Sequence, residues 1–434
     1  MDTLPIPHDI PLQLPLPPGP LKVLLVFLFM LHILFVNFML GAVAISFVFE
    51  IMGLKNKKFD NLAREISRTV TVNKSLAVVL GVAPLLAINL AYTTYFYTST
   101  SLTGIAWLMV IPVVTVAFLL TYLHKYTWDR LQDYKTIHLS IAGMALAIFL
   151  FVPLIFLSNV NLMLFPSHWP MIKGFLSAVL LQNVIPRYLH FLLASLAVTS
   201  LFAAGWFGRK SFPVEEKIPG FTRGQLKQLF YRMAFVITMM QVIAGPLLLL
   251  TLPVHGLSLT VYLFISMGIT GAILFMLLVW TEMKTDSALN SGRFWVIILL
   301  LTCTVISMAF GRHYYRERAI APHRQMMTEK TELFYWQSQA AQTRLRMGIS
   351  KAPVKTGAEA EFDKNCGICH AKTTVLVGPS LKEIQGIYGD NDEQVVRWAK
   401  NPGVKRGGPI MPSMAHLGDA TLDEIAKYIL GLEI

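Results

Sequence analysis

Charge is scarce in this chain. Asp, Glu, Lys and Arg make up 14% of it, against roughly 25% in an ordinary soluble protein. With 54% hydrophobic residues, most of its length cannot solvate its own surface, which excludes a freely soluble enzyme. Acids are scarcer than bases, 25 against 37, for a net charge of +12. That excess does not point to nucleic acid, which calls for a basic face interleaved with aromatics on a soluble domain; here the bases sit in short connections between apolar runs. Cysteine is nearly absent. Three residues in 434 exclude a disulfide framework, and Cys303, alone in an apolar run, is expected to be a buried, inert thiol. The first residues lack the basic start of a signal peptide, and the first apolar run is too long for one, so it is read as a retained span.

Long apolar runs are what the chain has instead. About 20 residues cross ~30 Å of hydrocarbon, and about eight segments qualify: near 21–50, 75–98, 103–123, 137–159, 184–207, 230–252, 258–281 and 294–311. The stretch from Met171 to Arg187 is shorter and reads as interfacial or re-entrant. The connections alternate in charge. Lys55, Lys57, Lys58, Arg64, Arg68 and Lys74 lie in the first, Lys125, Arg130 and Lys135 in the third, and Arg209, Lys210, Lys217, Arg223 and Lys227 in the fifth. The seventh holds Lys284 and Arg293, the fourth only Lys173 and Arg187, and the second and sixth no Lys or Arg. Basic loops stay in the cytoplasm, so both termini are expected on the periplasmic side of a bacterial cytoplasmic membrane. The fold class is all-α: a polytopic transmembrane bundle with a C-terminal periplasmic module. Composition divides the chain into an N-terminal tail (1–20), a membrane domain (21–311), a polar, helix-prone linker (312–357) and a small soluble domain (358–434).

That small domain holds the stretch "KNCGICHAK", Lys364 to Lys372. In Cys-x-x-Cys-His each sulfur forms a thioether to a haem vinyl group and the histidine binds the iron. Residues i and i+3 share a helix face, so Cys366 and Cys369 can grip one macrocycle edge, with His370 as axial ligand. Zinc is the alternative, but it needs further Cys or His ligands, and the domain offers only His416. One covalent haem c is therefore expected. Its attachment outside the bacterial cytoplasm agrees with the topology, which rests on different residues. The domain resembles a class I cytochrome c. "VGPSL", Val377 to Leu381, is similar to the segment that packs on the proximal histidine; "GGPIMPSM", Gly407 to Met414, to the loop carrying the distal methionine; and Thr421 to Leu432 to the closing amphipathic helix. In that family a proline directly follows the distal methionine, which selects Met411 over Met414 as the second axial ligand.

Ionisable groups inside a membrane are costly and usually functional. His32 lies about eleven residues into its span, near mid-membrane at ~1.5 Å per residue, and His190 lies in the outer half of its own. His138 is expected to be a hydrogen-bonded structural residue near the cytoplasmic end, and His124 to be interfacial. No acid lies deep; Glu50 and Glu282 sit at cytoplasmic ends.

Residues 21–318 resemble subunit I of the cytochrome bd quinol oxidases. The similar segments, in order, are "LHILFVNFMLGAVAISFVFEIM" from Leu31, "TWDRLQDYKTIH" from Thr127, "PRYLHFLLASLAVTSLFAAGWFGRK" from Pro186, "YLFISMGITG" from Tyr262 and "AFGRHYY" from Ala309. The resemblance implies a haem b with His190 and Met267 as axial ligands, and makes His32 the candidate ligand of a second haem b. The family's oxygen-site carboxylates fall on Met109 and Ala117, a further haem-binding carboxylate falls on Thr302, and its long quinol-binding loop shrinks to "LPVHGLS". The reading that follows is an electron-transfer cytochrome passing electrons between haem b and haem c. Its candidate partners are a periplasmic carrier or redox subunit, quinone, and a related bd-like membrane subunit. The alternative is a bd-like terminal oxidase fed by its own haem c.

Overall fold

A computed structural model describes residues 16–285, 289–346, 357–403 and 411–432, with the side chains of 70–76, 340–341 and 344–346 outside the description. Residues 1–15 of the tail, 347–356 of the linker, and Gly407 to Ile410 of the distal-methionine loop therefore lie outside the described residues. The chain forms two compact units, Met1–Glu332 and Leu333–Ile434.

Prolines in the first turn open α1 (Pro18–Gly53), where a missing N–H costs nothing. The Asn56 side chain accepts from the Lys58 amide to cap α2 (Lys57–Ala91). There follow α3 (Thr93–Thr103), α4 (Ile105–Leu108), α5 (Val110–Tyr126), α6 (Lys135–Leu164), α7 (Phe175–Val179), α8 (Val184–Gly208) and α9 (Val214–Lys217). A reciprocal Thr222–Gln225 capping box starts α10 (Arg223–Leu250), and Ser258 caps α11 (Leu259–Met283). The last helix of the series, α12 (Ser291–Arg346), runs 56 residues. No break marks Arg312, where the composition changes; the linker as far as Arg346 continues α12.

Among the described residues six helices are long and apolar enough to cross a membrane: α1, α6, α8, α10, α11 and α12. The run near 75–98, expected as one span, bends by 113° between Ala91 and Thr93. Tyr92 leaves the helical region there, with φ −139° and ψ 43°, and the Thr93 hydroxyl donates to the carbonyl of Asn89 at 2.9 Å. Counted as one span, the pair makes a seventh. The run near 103–123 is divided at Met109 into α4 and the 17-residue α5. From Met171 to Arg187 the chain holds the end of a 3₁₀ turn, the five-residue α7 and the start of α8. Cys303, expected to be buried, is instead exposed on α12; a helix apolar on every side gives no sign of its inward face.

Lipid removes the hydrophobic drive between helices, so small and polar residues hold the seams. At Gly41 a Cβ would lie 2.3 Å from the Ser195 carbonyl and the Thr199 hydroxyl, which lets α1 press against α8. The Ser195 hydroxyl donates to the Asn37 side chain at 3.0 Å, and Thr199 to the Phe38 carbonyl at 3.2 Å. Farther along, Phe49 of α1 and Phe207 of α8 both pack on Phe230. The two helices therefore run in the same direction.

The second unit adds α13 (Ala358–Asn365), α14 (Leu381–Tyr388), α15 (Asp392–Lys400) and α16 (Asp419–Leu430). Phe362, Leu381, Ile384, Ile425 and Ile429 form one cluster, and Val396, Leu422 and Ala426 another. A large buried apolar side chain contributes about 1.5–3 kcal/mol, so this is a small core of the kind that needs added apolar mass. Among the described residues there is no β-strand; an isolated bridge pairs His370 with Val375.

Candidate functional site

In the C-terminal unit α13 ends where the Cys366 amide donates to the Phe362 carbonyl at 2.7 Å. The amides of Cys369 and His370 then both donate to the Cys366 carbonyl at 3.0 Å. One turn thus carries both sulfurs and the imidazole. The thiols are half-buried and free. Burial, and secondly the neighbouring Cys369, pushes the Cys366 thiol up to about 11, so it stays protonated at neutral pH. His370 Nδ1 lies 2.8 Å from the Pro379 carbonyl. A carbonyl can only accept, so Nδ1 carries the hydrogen and Nε2 keeps a lone pair, the state a metal-bound imidazole requires. Gly378 makes that approach available, since a Cβ there would lie 2.3 Å from His370 Cε1. Met414 packs on the cluster of Val396, Leu422 and Ala426, and its amide donates to the Ala399 carbonyl at 2.9 Å. That is a core role, and it leaves half-buried Met411 as the candidate thioether. Ile368, Val375 and Val377, flanking the cysteines and Gly378, are more than half exposed. Donor set, tautomer and apolar surround all fit a haem bound through Cys366, Cys369 and His370.

In the membrane unit His32 Nδ1 donates to the Ala77 carbonyl at 2.9 Å, again leaving Nε2 with its lone pair. Its ring lies against Gly81 of α2, where a Cβ would come within 2.8 Å. The Nδ1 of His190 is buried and has no hydrogen-bond partner among the described residues, an expensive state for a polar atom unless a ligand takes it up. His32 and His190 each precede the Asn37–Ser195 hydrogen bond by five residues on helices running the same way. Their rings therefore stand at matching heights, about 7.5 Å along the axes from that bond. Met267 is 63% exposed. Its neighbour Gly268 packs on Met308 of α12, so the thioether stands on a face of α11 that this chain's helices do not seal. The structure thus gathers the three residues of the haem motif on one turn and brings the two intramembrane histidines level; it does not enclose Met267.

Sequence reading missed a group of guanidiniums one turn from these histidines. Arg187 precedes His190 by three residues, and Arg312 lies over the ring of Phe29, three residues before His32, at 4.8 Å. Arg187, Arg312 and Arg316 stand close enough to repel one another. The carboxylate at this end, Glu317, is already engaged by Lys22 at 2.5 Å, by the Tyr92 hydroxyl at 2.5 Å and by Arg324 at 3.1 Å. Among the described residues positive charge is left in excess beside the unpartnered imidazole, which fits a group carrying carboxylates, such as haem with its propionates. The signal was Arg187 on the helix face of His190, obscured because it was counted as a loop charge. Met109 and Ala117, which the bd resemblance aligns with oxygen-site acids, are 43% exposed and fully buried respectively. Thr302 donates to the carbonyl of Ile298 in its own helix.

No family model matches the chain. Over 82 residues, 18% of this chain and 80% of its relative, it is 38% identical to cytochrome c-552 of Nitrosomonas europaea. Over 96 residues it is 30% identical to cytochrome c oxidase subunit 2 of Bacillus sp. strain PS3, of which it spans only 27%. The structure of bd oxidase from Geobacillus thermodenitrificans superposes with a TM-score of 0.56 over 77% of this chain and 99% of that one. At 12% identity that likeness is one of fold, and it places the membrane part among bd-like helical bundles. The chain is a membrane electron-transfer cytochrome with haem cofactors, and through its C-terminal module it belongs to the cytochrome c family.

Proposed function

We propose that the chain relays electrons between a haem b, held in the membrane unit by His190 and Met267, and a single haem c, held by Cys366, Cys369, His370 and Met411. His32 is the ligand proposed for a second haem b. The observation that carries the membrane half is the buried Nδ1 of His190, without a partner among the described residues, beside guanidiniums that outnumber the described carboxylate. A haem supplies a one-electron couple whose potential follows axial ligand, burial and nearby charge. The chain's part is to set those quantities. The Pro379 carbonyl fixes the His370 tautomer at 2.8 Å, and a Met411 thioether holding the iron together with His370 would raise the potential. Arg187, Arg312 and Arg316 add positive charge at the His190 end, which favours the reduced state.

We place both termini, and therefore the haem c, on the periplasmic side of a bacterial cytoplasmic membrane, because the basic connections mark the other face. The partners proposed are a periplasmic electron carrier or redox subunit, with quinol as the membrane-side donor and a related bd-like subunit as a neighbour in the membrane. Oxygen reduction is the weaker reading. It consumes protons that positioned acids must deliver, and the resemblance puts Met109 and Ala117 in those places, with Thr302 in place of a haem-binding carboxylate. A pyridine haemochrome spectrum of the purified chain tests the assignment: b-type and c-type signals together support it, and a pure c-type spectrum refutes the membrane site.

A further inference from the structure

We propose that Glu50, His124 and His138 form a site for one divalent transition-metal ion of the zinc class. Three helices deliver one residue each: Glu50 near the end of α1, His124 in the last turn of α5 and His138 at the start of α6. They are 0%, 6% and 0% exposed, and their donor atoms all lie within 4.8 Å of one another. His124 Nε2 is 2.7 Å from Glu50 Oε2, and His138 Nδ1 contacts Glu50 Oε1. His138 Nε2 is 2.8 Å from the His124 carbonyl, which can only accept, so Nε2 carries the hydrogen. Nδ1 of the neutral ring then turns a lone pair toward a carboxylate, two acceptors face to face. A cation has to stand between them. The charges agree: Lys135 lies 3.2 Å from Glu50 and 2.6 Å from Asp60, one ammonium against two carboxylates.

That cation is a metal or a proton, and a neighbouring cavity decides between them. A space of about 20 Å³ opens beside His124, walled by Ser46, Ser67 and Thr121, enough for one water. Among the described residues the Ser67 hydroxyl, on a residue 6% exposed, has no partner. A proton shared by Glu50 and His138 leaves Ser67 unsatisfied among the described residues and asks nothing of His124 beyond one hydrogen bond to Glu50. An ion held by the three donors, with a water in that cavity as fourth ligand, engages them all. Two histidines, a glutamate and a water are an open tetrahedral zinc set. The His138-to-carbonyl bond and Lys135 on the ligating carboxylate are the outer contacts such sites use. Zinc bonds of ~2.0–2.2 Å ask the donors to part slightly from direct hydrogen-bond contact, a side-chain adjustment. The ion would pin α1, α5 and α6 together at the end of the bundle where the basic connections lie.

The test uses the full-length chain with its haems, purified in detergent, equilibrated with micromolar zinc and dialysed into metal-free buffer. Zinc per chain is counted by mass spectrometry, with haem absorbance as the check on folding. Wild type should retain about one equivalent. His124→Phe should lose it with haem absorbance unchanged, as should Glu50→Gln, and Lys135→Met should weaken binding by about 10–100-fold. His124→Phe decides if Glu50→Gln fails to fold. A wild-type chain that keeps no zinc, or one that keeps no more than His124→Phe, overturns the proposal and leaves a shared proton in the cluster.

Discussion

Replacing Gly378 with alanine tests the geometry around His370 at its tightest point. The new Cβ would lie 2.3 Å from His370 Cε1 and 2.8 Å from both ring nitrogens, where ordinary contact begins at 3.4 Å. The backbone at 378 is not in the left-handed region, so alanine brings no conformational penalty and any effect is steric. The ring would have to retreat by about 1 Å to restore contact distance, away from the Pro379 carbonyl that holds it at 2.8 Å. Overpacking costs about 1–3 kcal/mol, and losing the hydrogen bond about 0.5–1.5 kcal/mol. Together these lower the melting temperature of a module this size by on the order of 10–30 °C. Thermal melts followed in the haem c absorbance, with an axial-ligation spectrum of the oxidised protein, read both consequences. An alanine variant that melts within about 2 °C of wild type, with His–Met ligation intact, would refute the assignment of His370 and Gly378.

Four further outcomes follow from the same geometry. His190→Ala should abolish the low-spin b-type signal in a haemochrome spectrum while sparing haem c; an unchanged b signal removes His190 from the site. His32→Ala should lower the b-to-c ratio where a second haem b is bound, and an unchanged ratio reduces His32 to its bond with Ala77. Arg187→Gln or Arg312→Gln should lower the haem b midpoint potential by about 70 mV, taking one charge at about 10 Å and an effective dielectric near 20; a redox titration with no shift separates these guanidiniums from the haem. In chain made without haem attachment, Cys366 should resist alkylation at pH 9, where an ordinary thiol is already partly ionised, and react as pH approaches the value of about 11 that burial gives it, because the thiolate is the nucleophile. Fast alkylation at pH 8 that matches the unfolded chain contradicts that burial.

The candidate haem-attachment site is legible because thioether chemistry asks for two cysteines and a histidine at this spacing, and Cys366, Cys369 and His370 lie within five residues of sequence. Hydropathy located the apolar runs because crossing lipid imposes a length. The bend at Tyr92 was not legible: no glycine or proline stands at it, and the Thr- and Tyr-rich residues beyond it are helical again. Cys303 was misplaced because an all-apolar helix carries no periodic face. The contacts of Glu50 with His124 and His138 join residues 74 and 88 positions apart, and each looked like an ordinary helix-end group alone. The guanidiniums near His190 escaped for the same reason, since Arg187 and Arg312 come from helices far apart in sequence.

Electron transfer inside one chain is the central claim, and it can be timed. Haem c in the purified chain is reduced by a light pulse from an attached photosensitiser, and b-type absorbance is followed at several protein dilutions. The account predicts that b-type and c-type signals relax together with a rate independent of concentration. A b-type signal that stays still, or that moves at a rate proportional to protein concentration, would contradict it.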